Sequence, residues 1–164
     1  MKEIVIVLGL PWSKKIKYAV NTYPTHQLVS PFSIRKAMER KGVYDPNSIF
    51  LFIDLVARSL MISNRPVVII EESAKLEAIF IWKEMAVEYD YNIKCIIFDA
   101  ALEKCFLDAE NQDEETLKII SDKSKEFEQL KEVLNMKYQI IIDDVTTVNS
   151  DELIKSEDKE DEVL

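Results

Sequence analysis

Four stretches of the chain are continuously apolar and rich in β-branched residues: EIVIVL at 3–8, PVVIIE at 66–71, IKCIIF at 93–98 and QIIID at 139–143. A strand with one wet face alternates apolar and polar residues. These do not alternate, which fits strands buried on both faces, as in a parallel sheet covered by helices. A shorter run, HQLVS at 26–30, supplies a fifth strand.

Between these runs the period changes from two to about 3.6. SAKLEAIFIWKEMAVEY places Leu76, Ile79, Phe80, Lys83 and Val87 along one helical side, with Ile81, Trp82, Met85 and Ala86 widening the stripe and Asp90 ending it. EETLKIISDKSKEFEQLKEVLN carries Leu117, Ile120, Phe127, Leu130 and Leu134 on one face. PFSIRKAMERKG opens with Pro31 at a helix start and stops at Gly42. DPNSIFLFIDLVARSLMISN follows a turn at Asp45-Pro46, and its Asp54 and Arg58 are spaced to pair across one turn. The order β-α-β-α-α-β-α-β-α-α-β predicts an α/β protein, a three-layer doubly wound parallel sheet of about five strands. Right-handed crossovers place helices on both of its faces.

With 164 residues, 48% of them hydrophobic, the chain suits one packed core. We expect an α/β domain over 1–149 and an acidic tail over 150–164. No apolar run reaches the roughly 18 residues that span a bilayer, and the N-terminus lacks a signal-peptide pattern, so the expectation is a cytoplasmic protein with no membrane partner. The formal charge is −9, and the last fifteen residues, with seven acids against two lysines, hold −5 of it. That balance argues against direct nucleic-acid binding, which draws on Lys and Arg against phosphates. The tail reads as a solvated terminus or as an acidic docking peptide. Cys95, Cys105 and the single histidine, His26, are too few and too scattered for a zinc site, and no metal site is expected. No G-x-S-x-G elbow accompanies His26, which leaves a Ser-His-Asp hydrolase without a nucleophile motif.

Ligands in this fold sit beyond the carboxyl ends of the strands, which directs attention to GLPWSKKIK after the first strand. A phosphate-binding loop reads G-x-x-x-x-G-K-[ST]: its backbone amides wrap a phosphate, its Lys reaches the outer oxygens and its hydroxyl ligates Mg²⁺. IVIVLGLPWSKK resembles the first strand and loop of the phage polynucleotide 5′-kinase and zeta-toxin-like branch of P-loop kinases, which commonly reads G-x-P-G-S-G-K-[ST]. Gly9, Pro11, Ser13 and Lys15 stand in register with that pattern, and Lys14 lies within it. Further along, Trp82, Ala86, Tyr89, Phe98 and Asp99 match a family helix and the corner of the strand that follows it.

The resemblance implies a P-loop NTPase fold and, in an active member, ATP and Mg²⁺. It also shows what this chain lacks. The family's second and third glycines fall at Trp12 and Lys14, and its metal-ligating hydroxyl at Ile16. Non-glycine residues forced left-handed there would cost about 1–2 kcal/mol each. The acidic base expected after the second strand is replaced by SPFSIRK. Glu71 and Glu72, after the third strand, are the nearest substitute for a polar metal-binding pair, so an active protein would rely on Lys15, Glu71 and Glu72. The lid expected to carry arginines reads FLDAENQDEE, with five acids and no base from Asp108 to Glu115. Since a supplied arginine is worth about 10³ to 10⁵ in rate, an acidic lid opposes phosphoryl transfer. The expectation is a catalytically inactive kinase-like protein needing no cofactor. It would act through a protein partner as a regulatory, inhibitory or structural component, of viral origin by the resemblance alone. An active polynucleotide or nucleotide kinase with an atypical loop is the alternative, and an acidic mimic of nucleic acid the third reading. Asp108, Glu110, Asp113 or Glu114 is expected to close over the lysines, and Trp12 and Phe32 are candidate interface aromatics.

Overall fold

A computed structural model describes residues 1–141 and 144–150, with side chains described outside 135–144. Its elements follow the order predicted from the sequence: β1 (Glu3–Gly9), α1 (Lys15–Thr22), β2 (Gln27–Val29), α2 (Pro31–Arg40), α3 (Pro46–Ile62), β3 (Val67–Glu71), α4 (Leu76–Tyr89), β4 (Asn92–Asp99), α5 (Leu102–Leu107), α6 (Glu114–Ile141) and β5 (Asp144–Asn149). The five strands form one parallel sheet in the order β2-β3-β1-β4-β5. The chain moves one way from β1 to β2 and the other way from β3 to β4, so the direction of winding reverses between β1 and β3. That switch point is where this fold opens a crevice.

Side chains leave each central strand alternately for the two faces. Ile4, Ile6, Leu8, Val67, Ile69, Ile93, Cys95 and Ile97 pack with buried residues of α3, α4 and α6. Val5, Val7, Val68, Ile70, Ile96 and Phe98 pack against Ala19 of α1 on the opposite face. Two helices begin on caps readable from sequence: the Asp45 carboxylate accepts from Ser48 N at 2.9 Å, and Ser30 Oγ accepts from Ser33 N at 3.2 Å. Gly42, at φ 85°, ends α2, as its lack of a Cβ allows. Asp54 and Arg58 do pair, at 2.9 Å. No helix of the described residues is long and apolar enough to cross a membrane.

Three local expectations need correction. The strand placed at 139–143 is not one where it is described: 139–141 extend α6, 142–143 lie outside the described residues, and the fifth strand is Asp144–Asn149. No glycine or proline interrupts 114–141, so nothing stops the helix, and the β-branched run Val145–Val148 makes the ladder with β4. In α4 the buried side is Ile79, Trp82, Met85 and Ala86, whereas Phe80, Ile81 and Val87 are exposed. The Trp82 indole N–H donates to Glu71 Oε2 at 3.1 Å, which turns that side inward. In α6, Thr116 rather than Leu117 lies buried in the first turn, where its N–H meets the Asp113 carboxylate at 2.8 Å.

Candidate functional site

The β1–α1 loop leaves the centre of the sheet at the switch point. Gly9 is needed there because a Cβ would sit 3.0 Å from Phe98 O, 3.2 Å from Ser13 Oγ and 3.3 Å from Lys15 Cδ. Beyond it, Trp12 and Lys14 both adopt left-handed backbone, at φ 56° and 64°. These are the two positions where the resembling kinases carry glycine, so the turn of the loop is retained without the residue that makes it cheap. Strain of this kind persists where surrounding structure enforces it. Ser13 N donates to Leu10 O at 3.3 Å, closing the turn, while Ser13 Oγ is buried without a hydrogen-bond partner among the described residues. Lys14 occupies the cap position of α1, and its side chain makes no hydrogen bond to the helix end.

Lys15 does not reach into the mouth of the loop. Its side chain is 3% exposed, and Nζ donates to Leu10 O at 2.9 Å and to Glu72 Oε1 at 3.1 Å across the β1/β3 crevice. Burial pushes its pKa below the usual lysine value, and the charge and hydrogen bond of Glu72 oppose that shift. Glu71 is occupied elsewhere: one oxygen accepts from Ser73 N at 2.9 Å and the other from the Trp82 indole. Ile16, where the magnesium-binding hydroxyl belongs, is exposed at the surface. Among the described residues no group of three His, Cys, Asp or Glu side chains is placed to hold a metal. Ile16 carries no oxygen that could ligate a metal, and both oxygens of Glu71 already accept hydrogen bonds.

The candidate acids of the lid separate. Asp108 Oδ2 lies 3.3 Å from Lys14 Nζ, an exposed pair of small worth. Asp113 instead caps α6, its pKa lowered chiefly by the Thr116 backbone N–H, while Glu110 and Glu114 lie exposed. After β2, Ser30 Oγ donates to Ser33 Oγ at 2.9 Å, so that corner carries hydroxyls and no acid. Trp12 is half-buried and packs against the core, whereas Phe32 is exposed with the Lys36 ammonium 5.6 Å from its ring centre.

Sequence reasoning missed a cavity of about 260 Å³ on the α1 side of the loop, between α1, the end of β4 and α5. Trp12, Tyr18 and Phe98 supply aromatic wall, Tyr18 and Phe98 lying 5.2 Å apart. Lys14, Lys17 and Lys104 also line it, and Asp108, another lining residue, pairs with Lys14. Cys105 also lines it, and burial pushes its thiol up to about 11, which removes it as a nucleophile at neutral pH.

No family model matches the chain, and no curated protein matches it in sequence. Solved structures do share its fold. A gluconokinase from Sinorhizobium meliloti aligns over 91% of this chain and 83% of its own, with 10% identity and a TM-score of 0.57. A Chloroflexus aurantiacus protein with a provisional kinase assignment aligns over 73% of this chain and 77% of its own, with 12% identity and a TM-score of 0.57. The tunicamycin resistance protein of Deinococcus radiodurans aligns over 86% of this chain and 97% of its own, with 12% identity and a TM-score of 0.53. At such identities the likeness is one of fold: an α/β architecture with a five-stranded parallel doubly wound sheet, resembling P-loop NTPase kinases.

Proposed function

We propose that this chain is a P-loop-kinase-fold protein that has lost phosphoryl transfer and works by binding a protein partner, as a regulatory, inhibitory or structural component. The observation that carries this reading is the Lys15 ammonium, buried and held by Glu72 at 3.1 Å and Leu10 O at 2.9 Å. An incoming phosphate would have to displace a carboxylate already seated on the loop's principal cation. The charge stabilisation that drives phosphoryl transfer also lacks its other parts: Ile16 offers no metal ligand, the corner after β2 has no base, and Asp108 brings negative charge where a cation is needed. The finer placement, in the polynucleotide 5′-kinase and zeta-toxin-like branch with a viral origin, draws its support from Gly9, Pro11, Ser13 and Lys15 together with Trp82, Ala86 and Tyr89.

An active polynucleotide or nucleotide kinase remains the second reading, favoured by one feature: the left-handed backbone at Trp12 and Lys14 preserves the turn on which an anion cradle is built. The assay that separates the two is phosphate transfer from γ-labelled ATP and Mg²⁺ to a 5′-hydroxyl oligonucleotide and to free nucleosides. The proposal expects no labelled product above the level of Lys15→Ala. Turnover by the wild-type chain that disappears in Lys15→Ala would transfer the case to the active kinase.

A further inference from the structure

A helix laid on one face of a sheet needs a single apolar side, and a helix apolar nearly all round is normally covered all round. α3 has two apolar sides. Ile49, Ile53, Ala57 and Met61 are buried in the core. On the opposite side Leu51, Leu55 and Ile62 form a second stripe at helical spacing, and they are 64%, 64% and 67% exposed. Arg58 completes that stripe, bound to Asp54 of its own helix and to Glu88 of α4. α3 leads into β3 and α4 leaves it, so the two helices run in the same direction. Counting eight residues back from Arg58 and from Glu88 sets Phe50 about level with Phe80. Both are exposed, and Val87 continues the outer side of α4. The exposed parts of Phe50, Leu51, Leu55, Ile62, Phe80 and Val87 amount to about 700 Å², taking roughly 200 Å² for a whole residue of this size. The largest apolar patch on a typical monomer is only about 300–600 Å².

We propose that this α3/α4 face is the two-fold interface through which two copies of the chain associate. Area favours a second copy: a stable interface hides about 800 Å² on each partner, and apolar side chains alone supply most of that here. Homodimer interfaces are also more apolar than other interfaces. The charge within the stripe allows a like partner, because Arg58 is balanced by Asp54 and Glu88 of its own chain and needs no opposite charge across the contact. Each copy offers the same surface once, so association closes at two. The remaining charges oppose it: Glu84, one turn from both Phe80 and Val87, is exposed, and each chain carries a formal −9. That repulsion is screened by salt, whereas attraction to a basic partner would be weakened by it. The inference goes beyond the reading of the loop and draws nothing from it. Phosphate transfer by the wild-type chain would defeat the proposed function and leave the interface standing.

Analytical ultracentrifugation of the full-length chain tests this, from about 1 to about 100 µM, a range that reads micromolar association. The expected result is a species of two chains with a dissociation constant that is micromolar or tighter, and that tightens as salt is raised. Leu51→Lys/Leu55→Lys sets like charges against each other and should weaken association at least about 100-fold. The milder Leu51→Ala/Leu55→Ala should weaken it roughly tenfold or more, and circular dichroism should show both variants folded, since both positions are exposed in the single chain. Val20→Lys, at an exposed position of α1 on the other side of the sheet, should leave association unchanged. A chain that stays monomeric at about 100 µM overturns the proposal, including one whose α3/α4 face binds phosphatidylcholine vesicles instead. A dimer that survives both double variants, or that Val20→Lys disrupts as strongly, overturns it as well. So does association that weakens as salt is raised.

Discussion

Glu72→Gln removes the charge facing Lys15 and keeps the shape of the side chain. Lys15 is 3% exposed, Glu72 is 23% exposed, and their charged atoms are 3.1 Å apart. At an effective dielectric constant of about 20, Coulomb's law gives a gross attraction of about 5 kcal/mol at that separation. Much of it is offset: Gln still accepts a hydrogen bond, Leu10 O stays in place, and Glu72 no longer has to be partly desolvated. Losing one partner of a fully buried pair costs about 3–5 kcal/mol. Here the solvent-facing side of Glu72 reduces the expected loss to about 1–3 kcal/mol, a fall in Tm of about 3–10 °C. Lys15→Met alone should cost less than about 1 kcal/mol, because the exposed part of Glu72 can hydrate. The double variant should lie within about 1 kcal/mol of wild type, so the two losses are not additive. The pH dependence has a definite sign. Lys15 titrates below its unfolded value of 10.5, so the unfolded state binds more protons and stability rises as pH climbs toward 10.5. In Glu72→Gln the opposing influence is gone, and that rise should begin at lower pH. Urea unfolding followed by circular dichroism reads all four proteins. A Glu72→Gln variant within about 0.5 kcal/mol of wild type, or strictly additive losses, would refute the pairing as an energetic unit.

Three further outcomes follow from single contacts. Gly9→Ala forces a Cβ to within 3.0 Å of Phe98 O, a backbone atom, and should cost about 1–3 kcal/mol in urea unfolding. Asp45→Ala removes the cap of α3 and should lower Tm, with the fall reversed by Asp45→Asn. Glu3 is buried, which alone would raise its pKa, but the Lys94 ammonium at 2.7 Å and His26 at 3.2 Å outweigh that and hold it below 4.5. Its contribution is therefore complete above about pH 4.5 and is lost as pH falls through the lowered value, and Glu3→Gln should flatten the acid limb of a stability–pH curve.

The order of elements was legible because buried parallel strands and amphipathic helices differ in period, and because α2 and α3 start on a capping residue followed by proline and α2 ends at Gly42. Where those signals fail, so does the reading. The apolar run at 139–141 looks like a strand until one notes that nothing stops the helix before it. The face of α4 depends on a bond between Trp82 and Glu71, residues on different elements that no periodicity relates. The loop was legible in its departures: Trp12 and Lys14 fall at glycine positions and adopt the backbone glycine would take. What sequence left open was which acid meets which lysine. Asp108 lies on Lys14, yet Lys15 is taken by Glu72, because the switch point places the end of β3 nearer the crevice than the lid. The cavity had no sequence signal, since its wall is assembled from four separate segments.

Calorimetric titration of the full-length chain with ATP and Mg²⁺, repeated on Lys15→Ala, bears most directly on the claim that the loop's cation is already occupied from within. The account predicts no magnesium-dependent heat in either protein. Micromolar binding that requires Mg²⁺ and vanishes with Lys15→Ala would contradict it.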